Sequence, residues 1–217
     1  MKSYAVIGLG RFGLRLAEQL EALGGEVLAI DSADAPVQEA ADRVSRAVVA
    51  NAANKETLRR LGVSDCDCAV VAIGGDIATS VLVTMNLKSL NVPSVICKAS
   101  DEAHREVLLK LGADKVIIPE KEMADKLAKN LTTPNVLDYI ELSDDCGIAE
   151  VEVPASWVGK TIQQVNIRAK YGVNVIAVKH GEKTTASLTA QYAFRQGEIL
   201  VLLGDAASLK RIQSAEE

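Results

Sequence analysis

Short runs of branched apolar residues alternate with longer stretches in which apolar positions recur every three or four residues, and this rhythm holds from the N-terminus to about residue 118. It predicts six strands, Tyr4–Ile7, Glu26–Ile30, Arg46–Val49, Ala69–Ile73, Ser94–Lys98 and Lys115–Ile118, each bounded by Gly, Pro, Asp or Asn. Helices fill the gaps. The first, from Phe12, sets Leu16, Leu20 and Leu23 on one face and stops at Gly24-Gly25. Strand and helix in strict alternation predict an α/β, Rossmann-like, doubly wound parallel sheet, because crossover connections are right-handed.

The rhythm changes after Pro119. A helical pattern runs to about Leu142 and is broken at Thr132-Thr133-Pro134, where proline cannot continue a helix and disfavours the helical backbone at Thr133. This predicts a helix-turn-helix connector over 120–142, between a nucleotide-binding domain at 1–119 and a small α+β domain at 143–217. In the latter the pattern gives a strand at Ile148–Val153, a short helix near Gln163, strands around Val173–Lys179 and Ile199–Leu203, and a polar helix from Ala206. The Arg168–Gly172 run reads as a helix end, with Lys170 near the last carbonyls and Gly172 as a left-handed cap.

Composition narrows the class. Of the 217 residues 48% are hydrophobic but only 3% aromatic, so the apolar content is Val, Ile, Leu and Ala, which suits buried parallel strands. The net charge of −5, with no cluster of Lys and Arg, argues against nucleic acid as a partner. The longest apolar runs, such as Cys68–Ile73, are far short of a bilayer span, and no signal-peptide pattern follows Lys2, so a cytoplasmic location is expected. Cys66, Cys68, Cys97 and Cys146 have neither zinc-site nor disulfide-framework spacing and are expected to be reduced.

The chemistry concentrates at the strand ends. Gly8-Leu9-Gly10-Arg11-Phe12-Gly13 follows an apolar strand and opens a helix, and an acid, Asp31, follows its last glycine by 18 residues. Gly8 permits the tight turn, Gly10 lets a phosphate approach the backbone, Gly13 lets the helix pack on the strand, and the helix N-terminus faces the anion. Asp31, with Ser32 beside it, ends the second strand, where a carboxylate accepts from ribose hydroxyls and repels a 2′-phosphate. An adenine nucleotide is the expected ligand. The guanidinium of Arg11 is suited to a β- or γ-phosphate. Asn51-Ala52 after the third strand and Ile73-Gly74 at the end of the fourth lie where open α/β sheets bind ligands. Lys98 ends the fifth strand and can neutralise phosphate, and Glu120 follows the sixth and can ligate a divalent cation. Neither His104 nor His180 has the sequence context of a catalytic base, which favours binding without turnover. A small NAD-dependent oxidoreductase or redox sensor, and a nucleotide sensor with some other partner, remain alternatives.

The chain resembles the regulator of K+ conductance (RCK) family, the KtrA- and TrkA-like cytosolic proteins, over nearly its whole length. The resemblance rests on Ala5 to Gly13, Val71-Ala72-Ile73-Gly74, His104 through Leu108 to Gly112-Ala113-Asp114, Pro119-Glu120-Lys121, Asn135 to Ile140, and Val165 to Gly172. It implies a non-enzymatic gating subunit for a separate K+-translocating membrane protein of KtrB/TrkH type. Such a subunit binds ATP or ADP, and NAD(H) in some members, and pairs into homodimers within an octameric ring. It implies that Arg11 and Phe12 lie at the nucleotide, with Arg11 on the terminal phosphate, and that Glu120 helps hold Mg2+ or Ca2+. It further implies a cyclic di-AMP site in the C-terminal domain near Ile162, Gln163, Asn166 and Arg168.

Overall fold

In a computed structural model, which describes residues 2–132, 136–143 and 145–213, the chain divides into two compact units, Met1–Glu122 and Met123–Glu217. The first unit holds strands β1 (Ser3–Ile7), β2 (Glu26–Asp31), β3 (Arg46–Val49), β4 (Cys68–Val71), β5 (Val95–Lys98) and β6 (Lys115–Ile117). All pair in parallel, in the order β3-β2-β1-β4-β5-β6. This is the doubly wound sheet expected from the alternating pattern, with strand ends within two residues of the expected ones.

Alternation along the central strands feeds two cores. Ala5 and Ile7 of β1, with Leu28 and Ile30 of β2, face the side covered by helices α3 (Lys55–Arg60), α4 (Ile77–Ser89) and α5 (Glu102–Lys110), whose Leu58, Val83, Leu87 and Leu108 are fully buried. Val6, Val27 and Ala29 face the other side, against α1 (Arg11–Ala22) and α2 (Asp34–Ala40). Leu23 departs from the expected pattern. It lies beyond α1 and is 84% exposed, while the helix packs through Gly13 and Ala17, whose small size permits close approach to the strand, and through the half-buried Leu14 and Leu20.

The second unit carries a five-stranded antiparallel sheet, ordered β10-β9-β11-β8-β7, from β7 (Val136–Ser143), β8 (Cys146–Glu152), β9 (Asn174–His180), β10 (Lys183–Thr185) and β11 (Ile199–Gly204). Helices α7 (Ile162–Val165), α8 (Ile167–Tyr171) and α9 (Ala206–Gln213) accompany it. Its core joins Val151, Leu200 and Leu202 to Trp157 and Phe194, whose rings are 6.1 Å apart. The expected helix-turn-helix is corrected here. A single helix, α6 (Pro119–Thr132), is followed by β7, which pairs antiparallel with β8. The Val136–Ser143 segment finds its hydrogen bonds on a neighbouring strand, a better outlet than a short isolated helix. Thr133 and Pro134 lie outside the described residues.

Leu87 is fully buried and Leu23 nearly fully exposed. Leu87→Ala is expected to lower stability by about 2–5 kcal/mol and Leu23→Ala by less than about 0.5 kcal/mol, measured by urea unfolding. Equal effects would mean that the first unit is not packed as described.

Candidate functional site

The turns at the carboxyl ends of β1, β2, β3 and β4 enclose a cleft of about 470 Å³. It lies where the strand order reverses, between β1 and β4, so that successive connections leave in opposite directions and the crevice stays open. Of the residues singled out from the sequence, Gly8, Gly10, Asp31, Ser32, Asn51, Ala52, Ile73 and Gly74 line it, together with Asp76 and Thr79.

The three glycines are required for different reasons. Gly8 has φ +94°, and a Cβ there would lie 2.9 Å from Ile73 Cγ1. At Gly13 a Cβ would stand 1.8 Å from the carbonyl oxygen of Gly8, an impossible contact, so only hydrogen fits between α1 and the turn. At Gly10 a Cβ would meet nothing within 4 Å, and its φ of −65° suits any residue. The fold therefore demands the first and third glycines but not the second. Only a ligand approaching the backbone at Gly10 would need the space a methyl group would fill.

Helix capping points the same way. Helices α3, α4 and α5 start on Asn54, Asp76 and Asp101, whose side chains accept from first-turn amides. Helix α1 starts on Gly10, with no side-chain cap and no acid in its first turn. Its N-terminal amides and the positive end of its dipole are left for an anion. Across the cleft, the Asp31 carboxylate accepts from Leu9 N–H at 2.6 Å and Ala33 N–H at 2.9 Å. It thereby ties the glycine turn to β2, and each carboxylate oxygen keeps a lone pair for a ribose hydroxyl. A 2′-phosphate would meet like charge there.

Beside Gly74 stands a second cluster. Lys98 Nζ would be 3.4 Å from a Cβ at Gly74, lies 5.7 Å from the centre of the Phe12 ring, and is 2.5 Å from Glu120 Oε1. The Lys98 ammonium, aided by a backbone hydrogen bond and more distantly by Arg11, holds the Glu120 carboxyl below its ordinary range. Glu120 is thus ion-paired, and among the described residues no three His, Cys, Asp or Glu side chains are grouped to hold a metal. The described residues of one chain do not by themselves form a Mg2+ or Ca2+ site.

Asp76 and Thr79 are cleft residues that sequence reasoning missed. Asp76 accepts from Thr79 N–H at 3.0 Å and from the Thr79 hydroxyl at 2.6 Å, which lowers its pKa. An Asp three residues before a Thr, just after Gly74-Gly75, is a helix-start signal that could have flagged them. The histidines lie elsewhere: His104 is buried in α5, and His180 ends β9. All four cysteines are free. In the second unit, Gln163, Asn166 and Arg168 are placed around the α7–α8 junction, where Asn166 has φ +55° and Gln163 is exposed. The amides of Ile162 and Gln163 are already bound by the carbonyls of Tyr192 and Ala190.

The TrkA-N domain model matches residues 4–119 and the TrkA-C domain model residues 148–215. The chain is 38% identical to the Ktr system potassium uptake protein C of Bacillus subtilis over 98% of its length and 96% of that protein's. It is 39% identical to the Ktr system potassium uptake protein A of the same organism, with the same coverage. A solved structure of the GsuK channel bound to NAD shares the fold, with a TM-score of 0.68 at 18% identity. The match covers 96% of this chain and 38% of that one, so the chain spans about two fifths of the channel subunit.

The glycine roles separate experimentally. Gly10→Ala is expected to keep wild-type stability within about 0.5 kcal/mol while losing about tenfold or more of the affinity for ADP, measured by calorimetry. Gly13→Ala is expected to fail to fold or to unfold at markedly lower temperature. ADP affinity unchanged in Gly10→Ala would remove the phosphate from this turn.

Proposed function

The chain belongs to the family of TrkA-N and TrkA-C domain proteins, and we propose that it is the nucleotide-binding regulatory subunit of a potassium uptake system, acting on a separate membrane protein that carries the ion. The near full-length identity to two Ktr potassium uptake proteins supports the system. No helix among the described residues is long and apolar enough to cross a membrane.

The observation that carries the ligand class is the uncapped α1 N-terminus, facing a space at Gly10 that the fold does not need, with Asp31 opposite. Together they offer backbone amides for phosphate and a carboxylate for ribose, the two polar parts shared by ATP, ADP and NAD. The cleft holds two ionisable side chains, Asp31 and Asp76, and backbone amides bind both, which favours binding over turnover. Thiol chemistry is disfavoured at three of the four cysteines. Burial raises the thiol pKa of Cys66 and Cys68 and pushes Cys97 up to about 11, so these sulfurs stay protonated and unreactive near neutral pH.

The mechanism is differential binding. A phosphate present in ATP and absent in ADP shifts the subunit between two shapes only by the free energy with which it distinguishes them. Arg11, exposed at the first residue of α1, is the proposed discriminator. Assembly of homodimers into an octameric ring at the inner membrane face belongs to the same reading. So does a divalent cation at Glu120, completed by ligands from outside a single chain. Cyclic di-AMP at Ile162, Gln163, Asn166 and Arg168 is a second proposed ligand, and equilibrium dialysis of the full chain against it, with Arg168→Ala as control, tests that assignment.

Arg11→Ala is expected to leave ADP affinity nearly unchanged and to abolish the preference for ATP, read by calorimetry with both nucleotides. Equal losses for the two would refute the role. The regulatory reading itself requires that the purified chain change K+ flux through its membrane partner in a nucleotide-dependent way, in vesicles holding both proteins.

A further inference from the structure

Lys98 is the less exposed partner of the ion pair beside the cleft, with 14% of its side chain accessible against 68% for Glu120. Its stem lies across Gly74, a residue of the cleft wall, and its ammonium is shared between Glu120 and the Phe12 ring. Phe12 follows Arg11 in the first turn of α1, so the ammonium stands next to the helix end that the phosphate is expected to occupy. Glu120 is the second residue of α6, the helix that runs from the first unit into the second. One lysine therefore touches the wall of the nucleotide cleft and the start of the connecting helix.

Resting on the nucleotide reading above, we propose that Lys98 and Glu120 form a phosphate-operated latch: the γ-phosphate of ATP takes Lys98 from Glu120 and frees the first turn of α6. The competition favours phosphate on physical grounds. Glu120 offers one charge from a largely solvated position, where ion pairs contribute little. A terminal phosphate offers more charge and three acceptor oxygens at a site already lined with helix amides. Because the lysine lies along the cleft wall beside Gly74, a small rotation of its last bonds exchanges the partners without disturbing the sheet. The freed Glu120 carboxylate, adjacent to Pro119 at the helix start, then changes the charge balance of the α6 N-terminus.

A double-mutant cycle on the full-length chain tests this, by calorimetric titration with ATP and with ADP in the presence of chelator, so that no divalent cation contributes. Glu120→Gln is expected to tighten ATP binding by up to about fivefold, the most that an exposed ion pair can withhold, and ADP binding much less. In the Lys98→Gln background the same Glu120→Gln change is expected to have almost no effect on ATP. If Glu120 acts only by repelling the nucleotide, its replacement tightens binding equally in both backgrounds, and the latch is wrong. No tightening in the wild-type background is equally fatal to it. Wild-type protein that binds neither nucleotide overturns the nucleotide reading itself, a failure distinct from an additive cycle. Thermal unfolding of each variant, expected to stay near wild type because the pair is exposed on one side, confirms that affinities are compared between folded proteins.

Discussion

A single contact distance sets the geometry of the nucleotide-binding unit: α1 presses so closely on the turn after β1 that no side chain fits between Gly13 and the Gly8 carbonyl. That approach fixes where α1 begins and aims its uncapped amides into the crevice. It also places Arg11 and Phe12 at the mouth, next to Lys98. The turn is held from the opposite side by the Asp31 carboxylate on Leu9 N–H, so its shape is set by contacts within the chain. A preformed site loses less free energy to ordering when it binds.

Polar satisfaction is distributed to match. Helices α3, α4 and α5 take side-chain caps from Asn54, Asp76 and Asp101, and α2, which has none, carries Asp34 in its first turn; α1 has neither a side-chain cap nor a first-turn acid. Many of the ion pairs elsewhere are of the weak, exposed kind, exemplified by Arg59–Glu56 and Arg105–Glu102 one helical turn apart. Stability comes instead from three apolar clusters, two flanking the parallel sheet and one inside the second unit. The proposed ligand-binding residues and the residues that hold the fold are largely different residues.

Much of this was legible in the sequence, because the determinants are local. The six parallel strands announce themselves as apolar runs bounded by breakers, and the glycine turn with Asp31 states its own geometry. The features that escaped are non-local. β7 looked like the second helix of a connector because Pro134 marks a break without specifying the structure after it, and its partner β8 lies across a turn. The edge strand β10 is only three residues long, too short to show a period. Leu23 fitted the helical period but falls past the end of α1, whose packing runs through Gly13, Leu14, Ala17 and Leu20. Lys98 and Glu120 were each visible as candidates, yet their pairing depends on β5 and β6 being neighbours, and Asp76 was hidden by its ordinary role as a helix cap.

The nucleotide switch and the latch proposed for this protein depend on an adenine nucleotide lying on the Gly8–Gly13 turn with its phosphates at the start of α1. Backbone amide chemical shifts of the isotopically labelled full-length chain, followed during titration with ADP, test it most directly. The expected result is saturable shifts of the Leu9, Gly10, Arg11 and Phe12 amides, reaching an end point at one nucleotide per chain. Shifts absent from this turn, or confined to the second unit around Gln163 to Arg168, would contradict it.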